Sequence, residues 1–141
     1  MLYISSMSDF FKPAPPRDRM LAAAIDFGGS ALFWALLYQL GFPVMGMLLT
    51  SAYILFRDSL SGKSLGKRMR KLCAINIDSE KVCNWQDSFM RNLFLAVPIL
   101  GFLVLAVEFF FAFKDQDYRR LGDHFAHTLV IDESSLKGEE A

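Results

Sequence analysis

Polar and apolar residues alternate along this chain in long blocks, not at the short periods of a soluble domain. Met20 to Leu40 holds Asp26 as its one ionisable residue. The block predicts a helix of about 31 Å, which matches the hydrocarbon core of a bilayer. Gly41-Phe42-Pro43 predicts a turn, with Gly ending one helix and Pro opening the next. Val44 to Phe56 predicts a second, shorter apolar helix of about 20 Å, antiparallel to the first. A polar segment, Arg57 to Arg91, follows. Within it Lys71 to Ile77 and Lys81 to Trp85 flank the turn residues Asp78-Ser79-Glu80, which predicts a short β-hairpin that needs a third strand or the membrane face for support. Asp87 or Ser88 is a candidate cap for the next helix, as Asp18 is for the first.

The apolar run from Leu93 to Phe113 is interrupted by Pro98 and Gly101. It reads either as one kinked span, or as a helical hairpin with its tip at Pro98 to Gly101 and a return helix from Phe102 to Phe113. Thr128 to Ile131 predicts a strand. The fold class is therefore an all-α membrane protein. It is a small transmembrane helix bundle of three spans, or of two plus a Pro-broken hairpin, with a short cytoplasmic β-hairpin as a cap. Residues 1–18, with Pro13, Pro15 and Pro16, are expected to be a flexible cytoplasmic arm. Residues 19–132 form the membrane domain, and 133–141 a disordered tail.

Composition supports this division. The chain has 141 residues, enough for one domain, and 53% of them are hydrophobic; the mean hydropathy is +0.29. Met1 to Arg19 has neither the apolar core nor the small-residue cleavage site of a secretory signal. Lys and Arg number 15, as do Asp and Glu, so the overall charge exerts no pull on nucleic acid. The placement of the cations says more. Three lie in the arm, eight in the middle segment and four in the tail, with none in the first turn. That bias puts the arm and the middle segment in the cytoplasm. A single third span would carry Lys114, Arg119 and Arg120 outside, whereas the hairpin keeps them inside with the Thr128 strand. Cys73 and Cys83, in a cytoplasmic segment, are expected to be reduced thiols.

Two carboxylates fall inside apolar blocks. Asp26 lies two helical turns, about 10 Å, beyond Arg19 on the same helix face. A carboxylate there costs about 2.5–3.5 kcal/mol on insertion scales and needs a partner, water or a proton. Ala22 and Gly29 share its face and would admit a close neighbour. Glu108 reaches the same depth only in the hairpin reading, where the two carboxylates would share a proton or cation; otherwise it is a side chain snorkelling near a helix end. Asp123, in Leu-Gly-Asp, suits a helix N-cap or an ion pair with Arg19. Gly62-Lys-Ser-Leu-Gly-Lys67 lacks the spacing of a phosphate loop and suits a basic loop on anionic lipid headgroups. His124 and His127 have no third ligand nearby and read as surface residues, so no metal, cofactor or catalytic constellation is expected.

Arg19-Met-Leu-Ala-Ala-Ala-Ile-Asp26, Gly62 to Arg68 with Gly66 and Lys67, Arg91-Asn92-Leu93, and Arg119-Arg-Leu-Gly122-Asp123 followed by Thr128 together resemble the RDD family of small bacterial membrane proteins. The family is named for one Arg and two Asp, here Arg19, Asp26 and Asp123. The resemblance spans residues 16 to 131. Two positions depart from the pattern: His127 stands where the family usually has Gly, and Arg119 where it often has Gln. The resemblance implies a multi-pass protein of the bacterial cytoplasmic (inner) membrane. Members have been linked to sodium/proton or other monovalent cation exchange, and others occur as membrane modules beside further domains. Two expectations follow. One is an oligomeric cation/proton exchanger working through Asp26, with Glu108 in support and Arg19 setting its protonation or gating the mouth. The other is a non-transporting scaffold, chaperone or regulatory subunit that packs on a partner membrane protein. Neither is an enzyme.

Overall fold

The computed structural model describes residues 11–96 and 100–137. Seven helices and three strands follow one another among them: α1 Pro16–Gln39, α2 Pro43–Phe56, α3 Leu65–Met69, β1 Leu72–Asn76, β2 Lys81–Val82, α4 Trp85–Asn92, α5 Gly101–Lys114, α6 Leu121–Phe125, β3 Thr128–Asp132 and α7 Ser134–Lys137.

The first helix begins at Pro16, because proline is preorganised for the first turn. Asp18 is thus inside that turn, not its cap, and is ion-paired with Arg70. The turn at Gly41 forms as the sequence predicts, with Gly41 at φ +85° and Pro43 opening α2. Trp34 donates its indole N–H to the Pro43 carbonyl, 3.3 Å, and closes this end of the α1–α2 hairpin. Only one stripe of α1 is buried: Arg19, Ala22, Ala23, Asp26 and Ser30. The small residue that continues the Asp26 face is therefore Ser30, not the exposed Gly29. Beyond Ser30, and along most of α2, the apolar side chains point outward. At 24 residues α1 is long and apolar enough to cross a membrane, whereas α2 is a shorter apolar helix.

The sheet sits at the other end of the hairpin. Its strand order is β2-β1-β3 and both pairings are antiparallel. The hairpin predicted from sequence gains its third strand from the tail, with Cys73 opposite Ile131 and Ile75 opposite Leu129. One face buries Leu72, Ala74 and Val130 against Ala22 and Cys83. The other buries Cys73, Ile75, Leu129 and Ile131 under Phe11, with Leu136 of α7 packed on. Residues 11–14 of the arm are thus tied to the sheet where a flexible segment was expected, and residues 1–10 lie outside the described residues. Pro13 bridges Ile131, and the Ala14 N–H donates to the Val130 carbonyl, 2.9 Å. The tail likewise forms α7 where disorder was expected, and residues 138–141 lie outside the described residues.

The apolar run after the middle segment does not form one helix. The α4 helix ends at Asn92 and α5 starts at Gly101, with residues 97–99, including the predicted Pro98 tip, outside the described residues. The actual cap of α4 is Asn84, which accepts from the N–H groups of Gln86 and Asp87. Asp87 returns a bond to the Asn84 N–H and completes a capping box. Asp87 is therefore the third helical residue, and Ser88 points inward to the Leu55 carbonyl, 2.8 Å.

Candidate functional site: a buried network of charges

Where α1, α2, α3, α4, α5 and α6 converge above the sheet, nine charged side chains are buried together: Arg19, Arg57, Lys67, Arg91 and Arg120 with Asp26, Asp58, Glu108 and Asp123. A buried ion is tolerated only with opposite charge and hydrogen bonds around it, and this network supplies them in a definite order.

Asp123 is its hub. One oxygen takes Arg19 at 2.6 Å and the Arg120 backbone N–H at 3.1 Å. The other takes Arg91 at 2.6 Å and the Thr128 hydroxyl at 3.3 Å. Burial alone would raise the Asp123 carboxyl, but Arg91, Arg120 and Arg19 outweigh it and hold it well below the usual carboxylate range. Asp123 is thus the third residue of α6, not its N-cap, and it also makes the ion pair with Arg19. Arg19 in addition donates to the Tyr118 carbonyl.

Asp58 is a second hub, absent from the sequence reading. It meets Lys67 at 2.6 Å and Arg91 at 3.7 Å, and its own N–H donates to Ser88, 3.1 Å. Burial pushes its carboxyl up, and Lys67, Arg91 and Arg57 together bring it below the ordinary range. Arg91 bridges the two hubs with its side chain fully buried. Although burial disfavours its charge, Asp123 and Asp58 raise its pKa. Asn92 accepts from Arg57, 3.0 Å, and donates to the Ser88 carbonyl, 3.0 Å.

Asp26, inside α1, accepts from the Gly66 N–H at 2.8 Å and from the Tyr53 hydroxyl at 3.1 Å. Its other oxygen lies 3.5 Å from Arg57. Glu108 does not join it. That carboxylate turns instead to Arg120, 3.4 Å, and to the Gly122 N–H, 3.3 Å. The two intramembrane candidates are therefore assigned to different cations, and a shared carboxylate site does not form.

Three glycines permit this convergence. A Cβ on Gly66 would overlap the Ala22 carbonyl, and one on Gly122 the Arg91 carbonyl. Gly62 has φ +63°, and a Cβ there would overlap the Ala74 carbonyl. The Gly62–Lys67 stretch is consequently a tight turn followed by the start of α3, with Ser64 as its N-cap. It is not a basic surface loop: Lys67 is buried against Asp58, and Lys63 pairs with Glu133 at 2.7 Å. His124 and His127 are exposed, as read. His127 has φ +52°, a left-handed backbone that accounts for a glycine preference at that position.

A family model described as the RDD family matches residues 13–127. The chain belongs to the RDD family. Comparisons with curated proteins and with solved structures found no match. As an RDD protein it is a membrane protein, in keeping with the long apolar α1 and the outward apolar faces of α1 and α2. The Arg and the two Asp of the RDD pattern, Arg19, Asp26 and Asp123, all belong to the buried network. The supporting residues Glu108, Lys67, Arg91, Asn92 and Thr128 belong to it as well. Sequence reading missed Arg57, Asp58, Ser88 and Arg120. The adjacent Arg57-Asp58 pair directly after an apolar helix was the available signal, since unpaired charges at that boundary need partners in the bundle.

Proposed function

We propose that this RDD protein is a non-transporting membrane module. Its buried charges clamp the apolar helices onto the sheet, and its outward apolar helix faces pack on lipid or on a partner membrane protein. The observation that carries this reading is the saturation of Asp26. An exchanging carboxylate must release its partners to take up a proton or a cation, whereas Asp26 is held by Gly66, Tyr53 and Arg57. Its surroundings contain Arg19, Arg57, Lys67 and Arg120, which repel a monovalent cation. The distribution of Lys and Arg supports a multi-pass orientation in the inner membrane with the sheet and both chain ends in the cytoplasm.

The rival reading, an oligomeric cation/proton exchanger, has one observation in its favour, namely that Asp26 lines a small cavity. Proteoliposomes containing an internal pH dye separate the two. Sodium or potassium pulses are expected to move no protons in the wild type. Cation-driven flux that is lost in Asp26→Asn overturns the module reading. In native membranes, a photocrosslinker at Leu48, on the exposed face of α2, is expected to give one discrete product with a membrane protein.

A further inference from the structure

The network holds five basic and four acidic side chains, and four of the basic ones face one place. Where α1, β1, β3 and α5 meet lies a cavity of about 20 Å³. Arg19, Arg57, Lys67 and Arg120 line it, and Asp26 is the one carboxylate in its wall; Ala23 and Phe109 contribute apolar surface. Arg57 is only 2% exposed at its side chain. Its Nη2 donates to Asn92 and its Nη1 lies 3.5 Å from Asp26, but its Nε has no acceptor among the described residues. Buried donors of a charged group are seldom left without an acceptor. Lys67, although it donates to Asp58, reports the crowding of positive charge. Burial first, then Arg91, lower its ammonium to about 7 although Asp58 lies beside it.

We propose that this cavity binds a single halide-sized monovalent anion, chloride in the cell, seated against Arg57 Nε among Arg19, Lys67 and Arg120. Size selects the class. A cavity of about 20 Å³ takes an occupant close to one water molecule, and inorganic sulfate, phosphate or a lipid phosphodiester is larger. Charge selects it over water. A water would accept the Arg57 Nε–H bond but leave Arg19, Arg57, Lys67 and Arg120 facing a wall whose one carboxylate is Asp26, whereas an anion adds negative charge there and favours the charged form of Lys67. The anion would also join α1 to the segment carrying Arg120, and so act as a stabilising cofactor of the clamp. This inference goes beyond the module reading and stands apart from it, since the proteoliposome result does not bear on halide binding.

The test uses the full-length protein in detergent at fixed ionic strength, with sodium gluconate replaced stepwise by sodium chloride or bromide. A saturable rise in Tm of about 5 °C is expected for both halides, with none for sulfate or phosphate. Ala23→Met fills the cavity without replacing a charged residue, and is expected to remove the halide response. Crystals grown in bromide are expected to show an anomalous peak within hydrogen-bond reach of Arg57 Nε, which does not depend on any variant folding. The proposal is overturned by a water without anomalous signal at that position. A response to phosphate or anionic lipid but not to halide also overturns it, as does an undiminished halide response in folded Ala23→Met.

Discussion

Asp123 receives two arginines, a hydroxyl and a backbone N–H, so its removal strands two buried guanidinium groups. Asp123→Asn is expected to cost about 3–5 kcal/mol, the usual penalty for breaking a buried pair from one side, measurable by denaturant unfolding in detergent. An apolar replacement of both partners, Arg19→Met with Asp123→Leu, is expected to recover much of that loss, which a site working through charge would not allow. The pH dependence follows from the same groups. Asp58 and Asp123 are held below their ordinary values, so their stabilisation is full above about pH 4 and fades as the pH falls through the lowered folded values. The wild-type Tm is therefore expected to drop between pH 4 and pH 2, and more gently in Asp123→Asn. His127 makes the opposite case. Its left-handed backbone favours glycine, and His127→Gly is expected to raise stability by about 0.5–1 kcal/mol. The sequence exposed Arg19 and Asp26 because charges beside or within an apolar block are conspicuous, and Asp123 through the Arg119-Arg-Leu-Gly-Asp123 motif. It did not expose who pairs with whom, since Arg19 and Asp123 are 104 residues apart and no local spacing encodes that.

The element that governs assembly is α3, five residues long. Its Gly66 lies against the α1 backbone at Ala22 and donates to Asp26. Gly66→Ala is expected to push α3 off α1 and destabilise the protein by about 1–3 kcal/mol, visible as a lower Tm and as proteolysis between α2 and β1. The long apolar helices were legible because length and hydropathy define them. The third strand was legible as a β-prone run. Its pairing with β1, which brings the tail beside the middle segment, was not. The arm was not legible as structure, because prolines that block a helix are equally at home along a sheet edge, where Pro13 sits. The sheet also changes the cysteines. Cys73 and Cys83 are free and buried, and burial raises both thiols, Cys83 to about 11. Maleimide at pH 8 is expected to label neither at the rate seen after denaturation in SDS; fast labelling of folded protein would show that the sheet opens.

At the scale of the molecule, the strand next to β1 comes from the last quarter of the chain, and its outer edge is met by residues 12–14 from the first tenth. A ribosome makes these parts far apart in time. While α1 and α2 are being made, Arg19 and, later, Arg91 have no Asp123 to meet, and closing a loop of such length carries an entropic cost that only the finished contacts offset. The contacts of Asp123 therefore form only after α6 has been made. A chain truncated before Asp123 would retain its apolar helices but leave buried arginines without their counterion, and would be marked by its own charges as unfinished. Arg19 and Asp123, read in this way, tie an early residue of the chain to a late one, so that the pair forms only in a chain made nearly to its end.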